Sequence, residues 1–238
     1  MTSWIVCDFD TNRILGSDGD LEQTFSPCST FKVPLALMGY DAGILTDASI
    51  PRWGYNDKFQ NDVPVMLDQW KQTHDPKLWM KNSCVWYSQE ITRHLGFQKF
   101  SAYVDKFGYG NRDVSGDTGK DNGLIRSWLT SSLHISPLQQ VEFIKKILNT
   151  GLLVSTDAIR ATTELIHDDG DGLNGRVFAK TGSGFVDQEK GLQKGWYIGW
   201  LEKNNQKIIF ACLREHSGPG FGGLEARKFM RSIVLNHI

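Results

Sequence analysis

Residues 26–43 read SPCSTFKVPLALMGYDAG. Here Ser29 stands three residues before Lys32, and Lys32 is trailed by Val33, Leu35, Ala36, Leu37 and Met38. The spacing predicts a helix opening at Ser29 and closing at Gly43, with Pro34 near its first turn, where proline is tolerated. Ser29 and Lys32 then share one face, because three residues make nearly one turn. The lysine is set to point inward. A buried ammonium is costly, so such a lysine shifts its pKa, pairs, or is used chemically. Taken alone, S-x-x-K arises by chance about once in a chain of this length. An N-cap serine beside a snorkelling lysine is the plain alternative.

Working outward, the chain of 238 residues is long enough for one sizeable core, or for two lobes sharing a cleft. Its net charge of -1, with no basic run longer than two residues, argues against a nucleic-acid partner. No apolar segment approaches the ~20 residues of a membrane span. The start, MTSWIVCDFD, lacks a signal-peptide pattern, which fits a cytosolic protein or a chain whose signal has been removed. Cys7, Cys28, Cys84 and Cys212 are far apart, with no C-x-x-C, and read as buried small hydrophobes rather than a zinc site or disulfide framework.

Along the chain, SWIVCDFDTNRIL (3–15) reads as a β-hairpin. From about 47 to 168 the pattern is helical with polar loops; PKLWMKNSCVWYSQEITRHLG (76–96) and SPLQQVEFIKKILNTG (136–151) are amphipathic pieces, each ended by glycine. Leu138, Val141, Ile144, Ile147 and Leu148 form an apolar strip read as core. Then GRVFAKTGSGF (175–185), GWYIGWLE (195–202) and KIIFACLRE (207–215) read as strands, and LEARKFMRSIVLNH (224–237) as a closing helix. The expected fold is α/β (α+β): one catalytic domain over 1–238, with a sheet lobe from about 1–46 and 170–238 and an inserted helical lobe of about 47–169.

Three further fragments stand with S-x-x-K: SCV at 83–85, YGN at 109–111 and KTGSG at 180–184, the last on an expected strand. S-x-x-K followed by K-T-G is the set used by penicillin-recognising serine enzymes. In order and over essentially the whole chain, STFK, NSCVWYSQEI, YGN, WLTSSLHIS and KTGSG followed by GWYIGW resemble the class D, oxacillinase-type serine β-lactamases.

The resemblance implies a β-lactamase/penicillin-binding-protein-like fold, an antiparallel sheet flanked by helices with an inserted helical lobe. It implies that Ser29 attacks the β-lactam carbonyl and that Lys32, carboxylated by carbon dioxide, is the base for acylation and deacylation. Trp128 would steady the carbamate and Val85 would pack over it. Ser83 would relay a proton with Lys180 setting the field. The oxyanion hole would be the N–H groups of Ser29 and Ser183, with Thr181, Gly182, Tyr109, Asn111 and Leu129 as substrate-binding positions. No metal or other cofactor is implied. The implied partners are β-lactam small molecules, penicillins foremost and cephalosporins as candidates, with no nucleic acid and no membrane, and the chain is expected as a monomer or weak homodimer. The implied location is periplasmic or secreted in a bacterium, the signal peptide being absent from this chain.

The family's substrate-anchoring arginine near the last helix has no single match in SGPGFGGLEARKFM. One register places Arg227 there. The other, slightly favoured, places Leu224 there and leaves the anchor to Lys180, Thr181 and Ser217; Arg214 is a further cation without a motif. Trp70 and Trp79 read equally as an aromatic wall or as core. The six histidines suit neither H-E-x-x-H nor a G-x-S-x-G triad. HDDGDGLNG (167–175) lacks an acid at the twelfth calcium-loop position, and GDTGKDNG (116–123) lacks Walker spacing, so both read as solvated turns. Two other functions share the scaffold: a β-lactam sensor domain that stays acylated, and a penicillin-binding transpeptidase, whose second motif is usually S-x-N rather than Ser83-Cys84-Val85.

Overall fold

A computed structural model describes residues 1–63, 65–168 and 175–235. The first hairpin pairs β1 (Thr2–Asp8) with β2 (Ile14–Asp18) around the polar residues between them. A 3-10 turn, Cys28–Phe31, leads into α1 (Lys32–Asp41). The helical middle carries α2 (Pro76–Asn82), α3 (Val85–Leu95), α4 (Phe97–Phe107), α5 (Gly123–Arg126), α6 (Pro137–Leu148) and α7 (Thr156–Leu165). After the short β3 (His167–Asp168) come β4 (Arg176–Asp187), β5 (Leu192–Lys203) and β6 (Gln206–Ser217), then α8 (Gly222–Leu235). The six strands form one antiparallel sheet in the order β2-β1-β6-β5-β4-β3, as expected for the fold class.

Strand alternation gives the sheet two covered faces. On β6, Ile209, Ala211 and Leu213 join the large core under the helical middle, whereas Ile208, Phe210 and Cys212 join Ala226, Met230 and Val234 of α8. Successive side chains point to opposite faces, so each strand serves both cores. On β4 the same parity sends Phe178 towards the helical middle and Val177 and Ala179 towards α8. Lys180, Gly182 and Gly184 therefore share the face of Phe178, and Thr181 and Ser183 the opposite one.

Two expectations change in detail. Helix α1 begins at Lys32, and Ser29 lies inside the preceding 3-10 turn, where its side chain makes no capping hydrogen bond. The amphipathic piece 76–96 is two helices: Ser83 takes the left-handed conformation (φ 55°), and the Cys84 N–H returns to the Trp79 carbonyl at 3.1 Å. That is a helix-ending motif usually given to glycine, here presenting a serine side chain at the break. The 167–175 turn reading falls largely on 169–174, outside the described residues.

Phe31 is fully buried and stacks on Trp128 with ring centroids 5.4 Å apart, while Phe100 and Tyr109 meet it edge-on at 5.9 and 5.4 Å. It joins the turn carrying Ser29 to three other segments. Phe31→Ala is expected to cost about 3–5 kcal/mol in urea denaturation, while Leu153→Ala, at a position 72% exposed, changes stability by about 0.5 kcal/mol or less.

Candidate active site

The turn Cys28–Phe31 is pressed against β4. A Cβ on Gly182 would come within 2.8 Å of the Pro27 carbonyl oxygen, 3.1 Å of Thr30 N and 3.2 Å of Ser29 N, and one on Gly184 within 2.6 Å of Cys28 Sγ. Both positions need hydrogen instead of a side chain for the strand to lie flat on the turn. From the other side, Cys28 N–H donates to the Trp128 carbonyl at 2.9 Å, and the Ser26 hydroxyl donates to the same carbonyl at 2.8 Å. Trp196 Nε1 donates to the Ser26 carbonyl at 3.0 Å. The nucleophile candidate is thus gripped by β4, β5 and the 126–133 segment.

Lys32 is 1% exposed, and its Nζ lies 3.2 Å from Ser29 Oγ. Burial pushes its pKa down to about 7, and the field of Lys180 adds to the shift. The thiols of Cys28 and Cys84 face it, but burial pushes each of them up to about 12, so neither supplies a counter-charge near neutrality. No ion-pair partner for Lys32 occurs among the described residues. Lys180, also buried, donates from Nζ to Ser83 Oγ and to the Thr181 carbonyl, both at 3.1 Å. Burial lowers its pKa to about 8; Asp168 opposes that shift and Arg227 adds to it.

Ser29 with Lys32 and Ser83 with Lys180 make two serine–lysine pairs, linked by the field between the lysines. Along β4, the Ala179 N–H donates outward to the Ile166 carbonyl at 2.8 Å. By the two-residue repeat, the Ser183 N–H points to the same free edge, and Gly182 sets that edge beside the Ser29 backbone nitrogen. Val85 and Trp128 lie in the same apolar core as Phe31.

The remaining expected site residues are held in place by packing and by hydrogen bonds to backbone. Tyr109 is fully buried: its ring meets Phe31 and Phe143 edge-on, and Gln140 Nε2 donates to its hydroxyl at 3.3 Å. Asn111 spends its side chain on backbone, donating to the Ser132 carbonyl and accepting from the His134 and Asp113 N–H groups, which ties 111–113 to 132–134. Leu129 is buried. Trp70 and Trp79 belong to the core, the Trp79 indole donating to Ser88 Oγ.

Arg227 is paired with Asp168 at 2.9 Å, and Arg231 joins the same carboxylate at 2.8 Å. Arg214 lies over the Phe229 ring at 4.6 Å. Ser217, opposite Leu192 and thus Asp187, is four β4 positions beyond Ser183, or about 13 Å along the strand. Leu224 is exposed, one helical turn before Arg227. Gln140 was not foreseen: it sits on the apolar strip of α6, and its Nε2 donates to Thr30 Oγ1 at 3.2 Å beside Ser29. A polar residue at a core-facing position was the one available signal.

Among the described residues, no group of three or more His, Cys, Asp or Glu is placed to hold a metal ion, and no helix is long and apolar enough to cross a membrane. The penicillin binding protein transpeptidase domain profile matches residues 7–235. Beta-lactamase OXA-9 of Klebsiella pneumoniae is 40% identical over 232 residues, covering 94% of this chain and 83% of that protein. Beta-lactamase OXA-1 of Escherichia coli is 41% identical over 186 residues, covering 78% and 64%. The crystal structure of the OXA-427 class D β-lactamase superposes with a TM-score of 0.88 at 36% identity over the full length of both chains. Regulatory protein BlaR1 of Bacillus licheniformis is 31% identical over 79% of this chain and 28% of its own. The chain therefore belongs to the penicillin-binding-protein transpeptidase superfamily and, within it, to the class D β-lactamases.

The uncompensated burial of Lys32 has a direct readout. In carbon-dioxide-free buffer, its side-chain resonance in carbon-13-lysine-labelled protein is expected to titrate near pH 7, charged below and neutral above. An exposed lysine titrates near about 10.4. A Lys32 midpoint above about 9 would contradict the site as described.

Proposed function

We propose that the protein hydrolyses β-lactams through an acyl-enzyme on Ser29, acting as a single catalytic unit. The observation that carries this reading is the 3.2 Å separation of Lys32 Nζ and Ser29 Oγ, with the lysine buried and its pKa near 7. Carboxylated, Lys32 would be the base for both steps, first taking the Ser29 proton as Oγ bonds to the lactam carbonyl carbon. Negative charge developing on the carbonyl oxygen is met by the N–H groups of Ser29 and Ser183. As the ring C–N bond breaks, the Ser83 hydroxyl gives its proton to the departing nitrogen, and Lys180, 3.1 Å away, restores it. Lys180 and Thr181 hold the substrate carboxylate. Arg227 is already committed to Asp168, which supports the register that leaves the anchor to the β4 residues.

The neutral form of an amine is the one that takes up carbon dioxide, and burial with no counter-charge among the described residues favours that form, so Lys32 fits carboxylation. When bound, the carbamate supplies an anionic oxygen base for the water that releases the product. Val85 and Trp128, in the surrounding apolar core, keep that end of the pocket closed to bulk solvent. We propose penicillins and cephalosporins as substrates and a periplasmic or secreted location, by likeness to the relatives. The likeness to BlaR1 favours one second reading, a receptor that acylates and stops.

A chromogenic cephalosporin separates the two. Many turnovers per protein, increased by bicarbonate after degassing, are expected; one equivalent of product followed by a stop would establish the receptor reading. Lys32→Ala is expected to lower turnover by about 10²–10⁴-fold. Trp128→Ala should leave acylation partly intact and make turnover depend strongly on added bicarbonate. kcat/KM should rise through pH 7 as Lys32 loses its proton and fall above about 8 as Lys180 loses its charge. A flat profile from pH 6 to 9 would remove Lys32 from the role of base.

A further inference from the structure

Lys180 meets Ser83 because Ser83 stands in a left-handed conformation between α2 and α3, where a non-glycine residue needs support from its surroundings. The residue before it, Asn82, is held at two points by the 69–74 segment. Its carbonyl accepts from Trp70 Nε1 at 2.9 Å, and its side-chain Nδ2 meets His74 Nε2 at 3.3 Å. His74 is fully buried, with Nδ1 3.0 Å from the Gln72 carbonyl and its ring edge-on to Trp86 at 5.4 Å. A carbonyl can only accept, so Nδ1 carries the proton and Nε2 is left as the acceptor for the Asn82 amide. Burial lowers the His74 pKa, which favours that neutral ring. The backbone of His74 is itself fixed by a reciprocal pair of 2.9 Å hydrogen bonds with Trp53.

We infer that His74 is a positioning residue for the proton-donating step: through the Asn82 amide it fixes the turn that presents Ser83 to Lys180. This rests on the reading of Ser83 as proton donor. His74 touches no substrate. Its contribution is to hold the Ser83 hydroxyl where the leaving nitrogen forms, and misplacement by about 1 Å costs up to about 100-fold in rate.

The test is a double-mutant cycle on the acylation rate constant, measured under single-turnover conditions with a chromogenic cephalosporin. His74→Phe keeps the ring packing and removes both side-chain hydrogen bonds; Asn82→Ala removes the donor from the other side. Each is expected to slow acylation by about 10- to 100-fold while leaving the dissociation constant of the encounter complex unchanged. His74→Gln, which restores an acceptor, should recover part of the loss. In a Ser83→Ala background neither substitution should slow the reaction further. If Ser83→Ala is impaired but His74→Phe and Asn82→Ala are not, or if their losses multiply with that of Ser83→Ala, the inference is overturned and the Ser83 reading stands. If Ser83→Ala acylates at the wild-type rate, both fall. Should His74→Phe fail to fold, Asn82→Ala and His74→Gln carry the same comparison.

Discussion

A lysine sealed in an apolar core, with no carboxylate beside it among the described residues, is the constraint on which the site depends. The cost of an unpaired buried ammonium is large enough that the group sheds its proton near neutrality rather than remain charged. Its neighbours reinforce the effect: Lys180 adds a second positive field, and the flanking thiols stay protonated. The arrangement is unfavourable for a structural residue and suited to a base. Because Lys32 opens α1 directly after the turn bearing Ser29, that basicity is delivered to one hydroxyl.

The sheet supplies the other half. Even-numbered residues of β4 face the helical middle, so Lys180 is aimed at Ser83 while Gly182 and Gly184 let the strand close on the Ser29 turn. Odd-numbered residues turn towards α8, where the Ser183 hydroxyl accepts from the Gly223 N–H at 2.9 Å. Ser183 thus serves two directions: its side chain fastens the start of α8, and its N–H is left for the open edge. Behind the turn, Gln140, Tyr109 and Thr30 form a buried polar link between α6, the 109–111 loop and the segment carrying Ser29.

The pieces legible in the sequence were those whose chemistry is local. S-x-x-K fixes Ser29 and Lys32 within one helical turn, so that pair could be named from spacing, whereas Ser83 with Lys180 was implied only by the resemblance to the class D enzymes. The break at Ser83 was not legible, since an unbroken apolar pattern runs through 76–96 and only the left-handed turn separates the helices. Tyr109 gave no sign of lying in the core, because its burial comes from α6 and Phe31, distant in sequence. The roles of His74 and Gln140 likewise depend on contacts that long loops bring together. Arg227 could not be assigned until Asp168, 59 residues away, was seen to hold it.

The central claim is that Lys32 sheds its proton near neutrality and, in that neutral form, accepts carbon dioxide. Carbon-13 NMR with labelled bicarbonate tests it directly. The account predicts one new carbamate resonance per protein near pH 7.5, lost on acidification and absent in Lys32→Ala. A folded wild-type protein that shows no such resonance while turning over substrate at its full rate would contradict it.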